Sequence, residues 1–347
     1  MQQDNAKGST ALQAQVVNVY PNGITEEKCR EIFMDLYKTN VLSLRDEAKD
    51  VACQRAEQLT DIFIQKLSKQ DDEIRKKIED QLKEPAMQEA IFKSQKCFAM
   101  SNDDDHLKIL TDMLIDRGSI SQRTNKQMLI DEAIDVLPRL NQKHLDVLAF
   151  YSFIDVFYPS YDEHLLKSQI NDLIKYLQNI IPLKSRDSNL QYLAQKNCLQ
   201  TFDGITHLKD INIILGERVT LLHSGFSEKE YDDLITVNIP EIPFAKSLIN
   251  PENIVINTTL ENLKYILKNR NIDKTNYDNI INFWHKNNDQ SDSAFVKDYI
   301  LNNFEYGYLL FENWQYLRDY NIFPLGITIA HTYIRTKYQQ KINWNFE

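Results

Sequence analysis

Glycine is scarce in this chain, with eight in 347 residues. None falls in GxGxxG or GxxxxGK[ST] order, which excludes the usual phosphate-cradling loops and nucleotide binding through them. Cysteine is equally thin. Cys29, Cys53, Cys97 and Cys198 are scattered, with no CxxC pair and no histidine at zinc-ligand spacing, so they read as reduced thiols on helix faces. The seven histidines form no HExxH or HxH pattern, and neither a metal nor a cofactor is expected. No stretch approaches the 18 or more apolar residues of a membrane span, and the opening MQQDNAKGST is polar, so the expectation is a cytoplasmic chain with no membrane partner. Positive charge is also in deficit: 40 basic against 50 acidic residues give −10. Nucleic acid is therefore not expected as a broad-surface ligand.

What is present is mostly helical periodicity. Residues 11 to 20, Ala-Leu-Gln-Ala-Gln-Val-Val-Asn-Val-Tyr, read as one strand before the turn Pro21-Asn22-Gly23. Its backbone needs a partner and the next hundred residues offer none nearby, so the partner is expected either far along the chain, as in the strand-like 342–346, or in another chain, for which Leu12, Ala14, Val16, Val17 and Val19 are the candidates. Thr25 with Glu26 and Glu27 starts a helix, and residues 25 to 84 look like a long helical hairpin ending at Pro85. Helical spacing returns at 107–117, at 125–137 before Pro138, and at 166–180 before Pro182. The segment His144 to Phe157 is apolar nearly all round with Asp146 and Asp155 inside it, which reads as a central buried helix.

The character changes near Ser185 to Asn189, where a domain boundary is expected. Beyond it, Ile211–Leu215 and Val219–Leu222 flank Gly216-Glu217 as either a β-hairpin or a broken helix, with strand slightly favoured. Pro240, Pro243 and Pro251 suggest loops and short turns. Helices are expected at 260–268, 276–285 and 293–320, and Ile342-Asn-Trp344-Asn-Phe346 alternates like a strand. Seventeen tyrosines and sixteen phenylalanines make the chain aromatic. Those between Phe295 and Phe323 read as core, with a partner-gripping surface as the alternative if Phe311 and Trp314 prove exposed.

Candidate chemistry is sparse. The run Asp103-Asp104-Asp105-His106 suits a helix N-terminus better than a calcium loop. His223-Ser224-Gly225, and Cys198 with His207, lack the context of an activated nucleophile. No catalytic residue is assigned. Asp116, Arg117, Glu132 and His331 remain as a possible pocket or ion-pair network, with His331 on a buried C-terminal helix.

Three segments carry a resemblance. Residues 11–20 followed by Gly23-Ile-Thr and Ile32-Phe-Met-Asp-Leu-Tyr-Lys-Thr-Asn40 resemble an AIQA-plus-VNV strand and the helix after it in a set of bacterial proteins. Leu110-Thr-Asp-Met-Leu-Ile-Asp-Arg117, then Asp131-Glu132-Ala133 and Leu137-Pro138, are similar to their LLVDLLVDR…NEA…P stretch. Gly326-Ile-Thr-Ile-Ala-His331-Thr-Tyr-Ile-Arg335 resembles GIAIAHANIKR, and Ile342-Asn-Trp344 resembles a closing SIWI. These are features of the LPO/Vpar family of bacterial proteins, for which the resemblance implies no activity. Tyr20-Pro21-Asn22, Pro324 and Thr328 depart from its pattern. Strand-like N-terminal segments of this kind also head bacterial proteins that look like antiviral defence components.

The expectation is thus a mostly α helical bundle with a few strands, α+β being the alternative. Residues 1–22 form a leader and strand, 23–184 a helical domain, and 185–347 a mixed, mainly helical domain. The functional expectation is a self-associating sensor or scaffold in phage defence, a homo-oligomer with a possible phage or host protein partner. An enzyme acting on a nucleotide or nucleic acid through a noncontiguous site is the alternative.

Overall fold

A computed structural model describes residues 25–40, 46–155, 162–202, 207–234, 239–270, 272–288 and 293–338. The expected strands at 11–20 and 342–346 lie outside them. Among the described residues the chain is mostly helical with a few short antiparallel strands, as the periodicity implies. It divides into two compact units, residues 1–124 and 125–347. The boundary expected at 184/185 falls inside the second unit, where packing between elements on either side of it holds one body together.

The first unit contains α1 (Glu26–Asn40), α2 (Asp46–Leu67), α3 (Asp72–Gln81), α4 (Pro85–Ser101) and α5 (Asp104–Gly118). Local chemistry sets their ends. Thr25 Oγ1 accepts from Lys28 N at 3.2 Å, Asp71 caps α3 through Ile74 N, and Asp103 caps α5 through Asp105 N and His106 N. Pro85 takes the first turn of α4, where its missing N–H costs nothing. The apolar stripes meet in a core that includes Phe33, Leu59, Phe63, Met87 and Phe98, each fully buried. Each such side chain contributes about 1.5–3 kcal/mol on leaving water. The Phe33 and Phe63 rings lie 4.9 Å apart.

The second unit begins with α6 (Asn125–Val136), α7 (Gln142–Asp155), α8 (Glu163–Ile180), α9 (Ser188–Gln195) and β1 (Leu199–Thr201). It continues through α10 (Ile211–Arg218), α11 (Glu228–Leu234), β2 (Phe244–Lys246), β3 (Ile254–Ile256), α12 (Leu260–Asn269) and α13 (Lys274–Asn288). The described part closes with α14 (Ser293–Asn303), α15 (Tyr308–Leu317), β4 (Tyr320–Ile322) and α16 (Pro324–Tyr338). Residues 144–154 of α7 are all buried, the outcome expected of a helix apolar on every side. Helices α8, α16 and α9 pack on α7, while β1 and β4 pair antiparallel, Leu199 opposite Ile322. A smaller core of Phe226, Ile242, Ile256, Leu263, Leu267 and Phe283 gathers the chain from just before α11 to α13.

Three expectations are corrected here. Residues 211–218 are helix and 220–222 a single 3-10 turn, not strand. A short apolar run has no periodicity to separate the two, and Asp210 supplies the carbonyl that accepts from Ile213 N and Ile214 N to start the helix. The proline-rich stretch holds the β2–β3 hairpin, Ala245 opposite Val255. The helix expected over 293–320 breaks at Phe304 to Gly307, a turn so tight that a Cβ on Gly307 would sit 2.6 Å from the Ile300 carbonyl oxygen.

Candidate functional site

A polar cluster lies where α16 meets α7 and α8, and it begins with a buried carboxylate on an apolar helix. Asp146 is 1% exposed in the middle of an apolar helix, and an isolated buried charge is too costly to keep. Its partners come from α16. The Tyr333 hydroxyl donates to Asp146 Oδ1 at 2.7 Å, and Lys337 Nζ donates to the Tyr333 oxygen at 2.7 Å. Gln142, one turn before Asp146, donates to the same phenol oxygen and to Asp146 Oδ1, the latter at 3.2 Å. Lys337 Nζ stands 3.6 Å from the carboxylate, 5.0 Å from the Tyr333 ring centroid and 5.3 Å from that of Tyr176 on α8.

The phenol oxygen therefore accepts from two groups and donates to a third, and the Lys337 charge lies over the Tyr176 ring. Spacing explains how one helix supplies both donors: residues 333 and 337 are four apart and share a face. Asp172 on α8 completes the surroundings. Burial raises its carboxyl above the ordinary range, while Lys175 and Lys337 pull it back down. Chemically the arrangement neutralises a buried charge and ties three helices together.

The residues singled out from sequence fall elsewhere. Asp116 and Arg117 lie on α5 in the first unit, Glu132 and His331 on α6 and α16 in the second. Arg117 is 1% exposed and its Nη1 donates to Met87 Sδ at 3.7 Å. Glu132 is exposed. Burial, and then the charges of Arg335 and Lys126, push the His331 imidazole down to about 3, so it is neutral at pH 7.

The nucleophile candidates are equally occupied. Burial pushes the Cys198 thiol up to about 12, with Glu132 adding to the shift, and its Sγ donates to the Lys196 carbonyl. His207 is exposed and contacts Leu208 O. His223 is buried, with Nε2 2.6 Å from the Gly216 carbonyl, which requires that nitrogen to be the donor. Trp314 is buried and donates to Lys209 O at 3.0 Å, which makes it core, whereas Phe311 is half-buried beside Lys297, and Phe295, Tyr306, Tyr308 and Phe323 are exposed, so the core expectation holds for only part of that segment. Among the described residues no three of His, Cys, Asp and Glu gather to hold a metal ion. None of the described helices is long and apolar enough to cross a membrane.

A recess of about 280 Å³ opens in the second unit. Ile154, Leu208 and Ile214 form its apolar wall, with Lys209, Glu217 and Arg218 at its edge. Both Glu217 oxygens accept from Lys209 Nζ, and Arg218 donates to the Ile154 carbonyl. The edge charges are thus committed to one another and to backbone.

Sequence reasoning noticed Asp146 as a charge inside an apolar helix but did not find its partners. The signal available was the Tyr333 and Lys337 pair on the far helix, whose spacing alone does not say what it faces. Among curated proteins and solved structures nothing matches the chain. A family model does match, over residues 23–346, and the chain belongs to the LPO/Vpar family of bacterial proteins.

Proposed function

We propose that this chain is a self-associating cytoplasmic protein that works as a sensor or scaffold, with phage defence as its setting. The observation that carries the non-enzymatic part is the state of its reactive groups. Burial pushes the thiols of Cys29, Cys97 and Cys198 up to about 12, and it is the thiolate that attacks. His331 is held neutral by burial, and His144 is shifted down for the same reason. These five side chains are taken up by the interior of the fold, which suits a protein acting through its surfaces. Self-association rests on the strand expected from the sequence of residues 11–20, and the defence setting on the resemblance of that segment to those of defence-like proteins.

Light scattering tests the first part, on the intact chain and on one lacking residues 1–22 at matched concentration. An oligomer that becomes a folded monomer on truncation is the expected result, and two monomers would overturn it. Challenge of expressing cells with a phage panel tests the second, with fewer plaques expected. No protection against any phage would remove the defence setting and leave the scaffold reading standing.

A further inference from the structure

Helix α16 is held at its two ends by different physics. At the first turn, Gly326 presses against the Cys198 carbonyl so closely that a Cβ would lie 2.1 Å from the oxygen. At the last turns Tyr333, Ile334 and Thr336 are buried too, and a polar hold is added: Tyr333 and Lys337 on Asp146, with Gln142 and the Tyr176 ring around them.

A slide of α16 by one turn, about 5.4 Å, exposes what each contact does. Moved one way, Ala330 takes the place of Gly326 and its methyl meets the Cys198 oxygen. Moved the other way, Ile329 takes the place of Tyr333 and leaves the Asp146 carboxylate against an apolar side chain. The apolar residues Leu325 and Ile329 repeat at the same four-residue interval, so that stripe alone does not choose a register.

We propose that α16 is pinned at its start and latched at its end, and that the latch is the half that can open. Steric packing at Gly326 has no alternative partner. The latch does: the Lys337 side chain is 34% exposed, so water can replace its bonds, whereas the Asp146 side chain at 2% is covered only while α16 stays docked. Opening the last two turns would uncover Asp146, the Tyr176 ring and the buried Tyr333 and Ile334 side chains, and would leave β1, β4 and the first turn of α16 in place. This local opening supplies the two-state element that a sensor needs, and it stands whether or not the chain self-associates.

Residue-resolved hydrogen exchange on the full chain tests the latch, with Lys337→Met and the double variant Asp146→Asn/Lys337→Met. In Lys337→Met, exchange at 332–338 is expected to rise about tenfold while 324–331 keep their protection. Removing the carboxylate as well should restore most of that protection, because no charge is then left stranded. Equal loss along the whole helix, or no change at 332–338, would overturn the latch. If Lys337→Met fails to fold, a folded double variant supports it and an unfolded one overturns it. Solution mass of the same variants reads association separately.

Discussion

Gly326 and Cys198 touch backbone to backbone: the first turn of α16 rests on the carbonyl of the residue that leads into β1, and a Cβ there would come within 2.1 Å of the oxygen. Phe323 N donates to the same carbonyl at 3.0 Å. Gly326→Ala must therefore move a helix or a strand, at a cost of about 1–3 kcal/mol. Urea denaturation reads it. A variant as stable as the parent would mean that the two elements part easily.

Tyr333→Phe removes one hydroxyl and leaves Asp146 without its nearest donor. A buried acceptor that loses its partner costs about 1–3 kcal/mol, more than the loss of an exposed hydrogen bond. The matched control is Thr328→Val, on the same helix, where the hydroxyl bonds the Pro324 carbonyl at an exposed position. The tyrosine variant should lose clearly more stability in denaturant titration. Equal losses would deny the cluster its special weight.

Thiol labelling separates the cysteines. Cys29, Cys97 and Cys198 are buried and pushed up to about 12, while Cys53 is partly exposed. At pH 8 in native buffer a disulfide reagent should label Cys53 first, and the other three only after unfolding. The unfolded chain ionises its thiols near 9 and the folded one near 12, so their stabilising contribution is complete below about 9 and fades as pH rises toward 12. Fast native labelling of Cys198 would contradict this burial.

Acid stability should depend on His331. Its folded value near 3 lies below the ordinary 6.5, so between these two the unfolded chain binds a proton that the folded chain refuses. Stability contributed by the neutral imidazole is present above 6.5 and lost as pH falls toward 3. His331→Phe should flatten the fall in melting temperature across that window. An unchanged slope would show that other groups set acid sensitivity.

The sequence carried the fold wherever the deciding interaction was local. Thr25, Pro138 and Pro182 mark helix ends by capping or by a missing N–H, and those ends fall within a few residues of where they were expected. Where tertiary contact decided, local pattern misled. Ile300, Phe304, Tyr308 and Phe311 keep helical spacing straight across the α14–α15 break, where Gly307 fits against the Ile300 carbonyl and a residue with a Cβ would not. Residues 211–222 are apolar enough for either state, α4 is apolar on too many sides to show a stripe, and α9 is only eight residues long, too short for its periodicity to stand out. The buried cluster was half legible: Asp146 stood out, but nothing near it in sequence named Tyr333 or Lys337.

The pairing of Leu199 with Ile322 also has a meaning in time. During synthesis β1 emerges long before β4 and α16, and until they follow, its edge and the buried face of α7 have no cover from them. The second unit must wait for its last described helix, whereas the first can close as soon as α5 is made, since domains fold as units from the N-terminal side. Long-range closure of this kind slows folding and prolongs exposure of apolar surface. The nascent chain thus passes through a stage with one finished unit and one open one, and that stage is where a chaperone would be most needed.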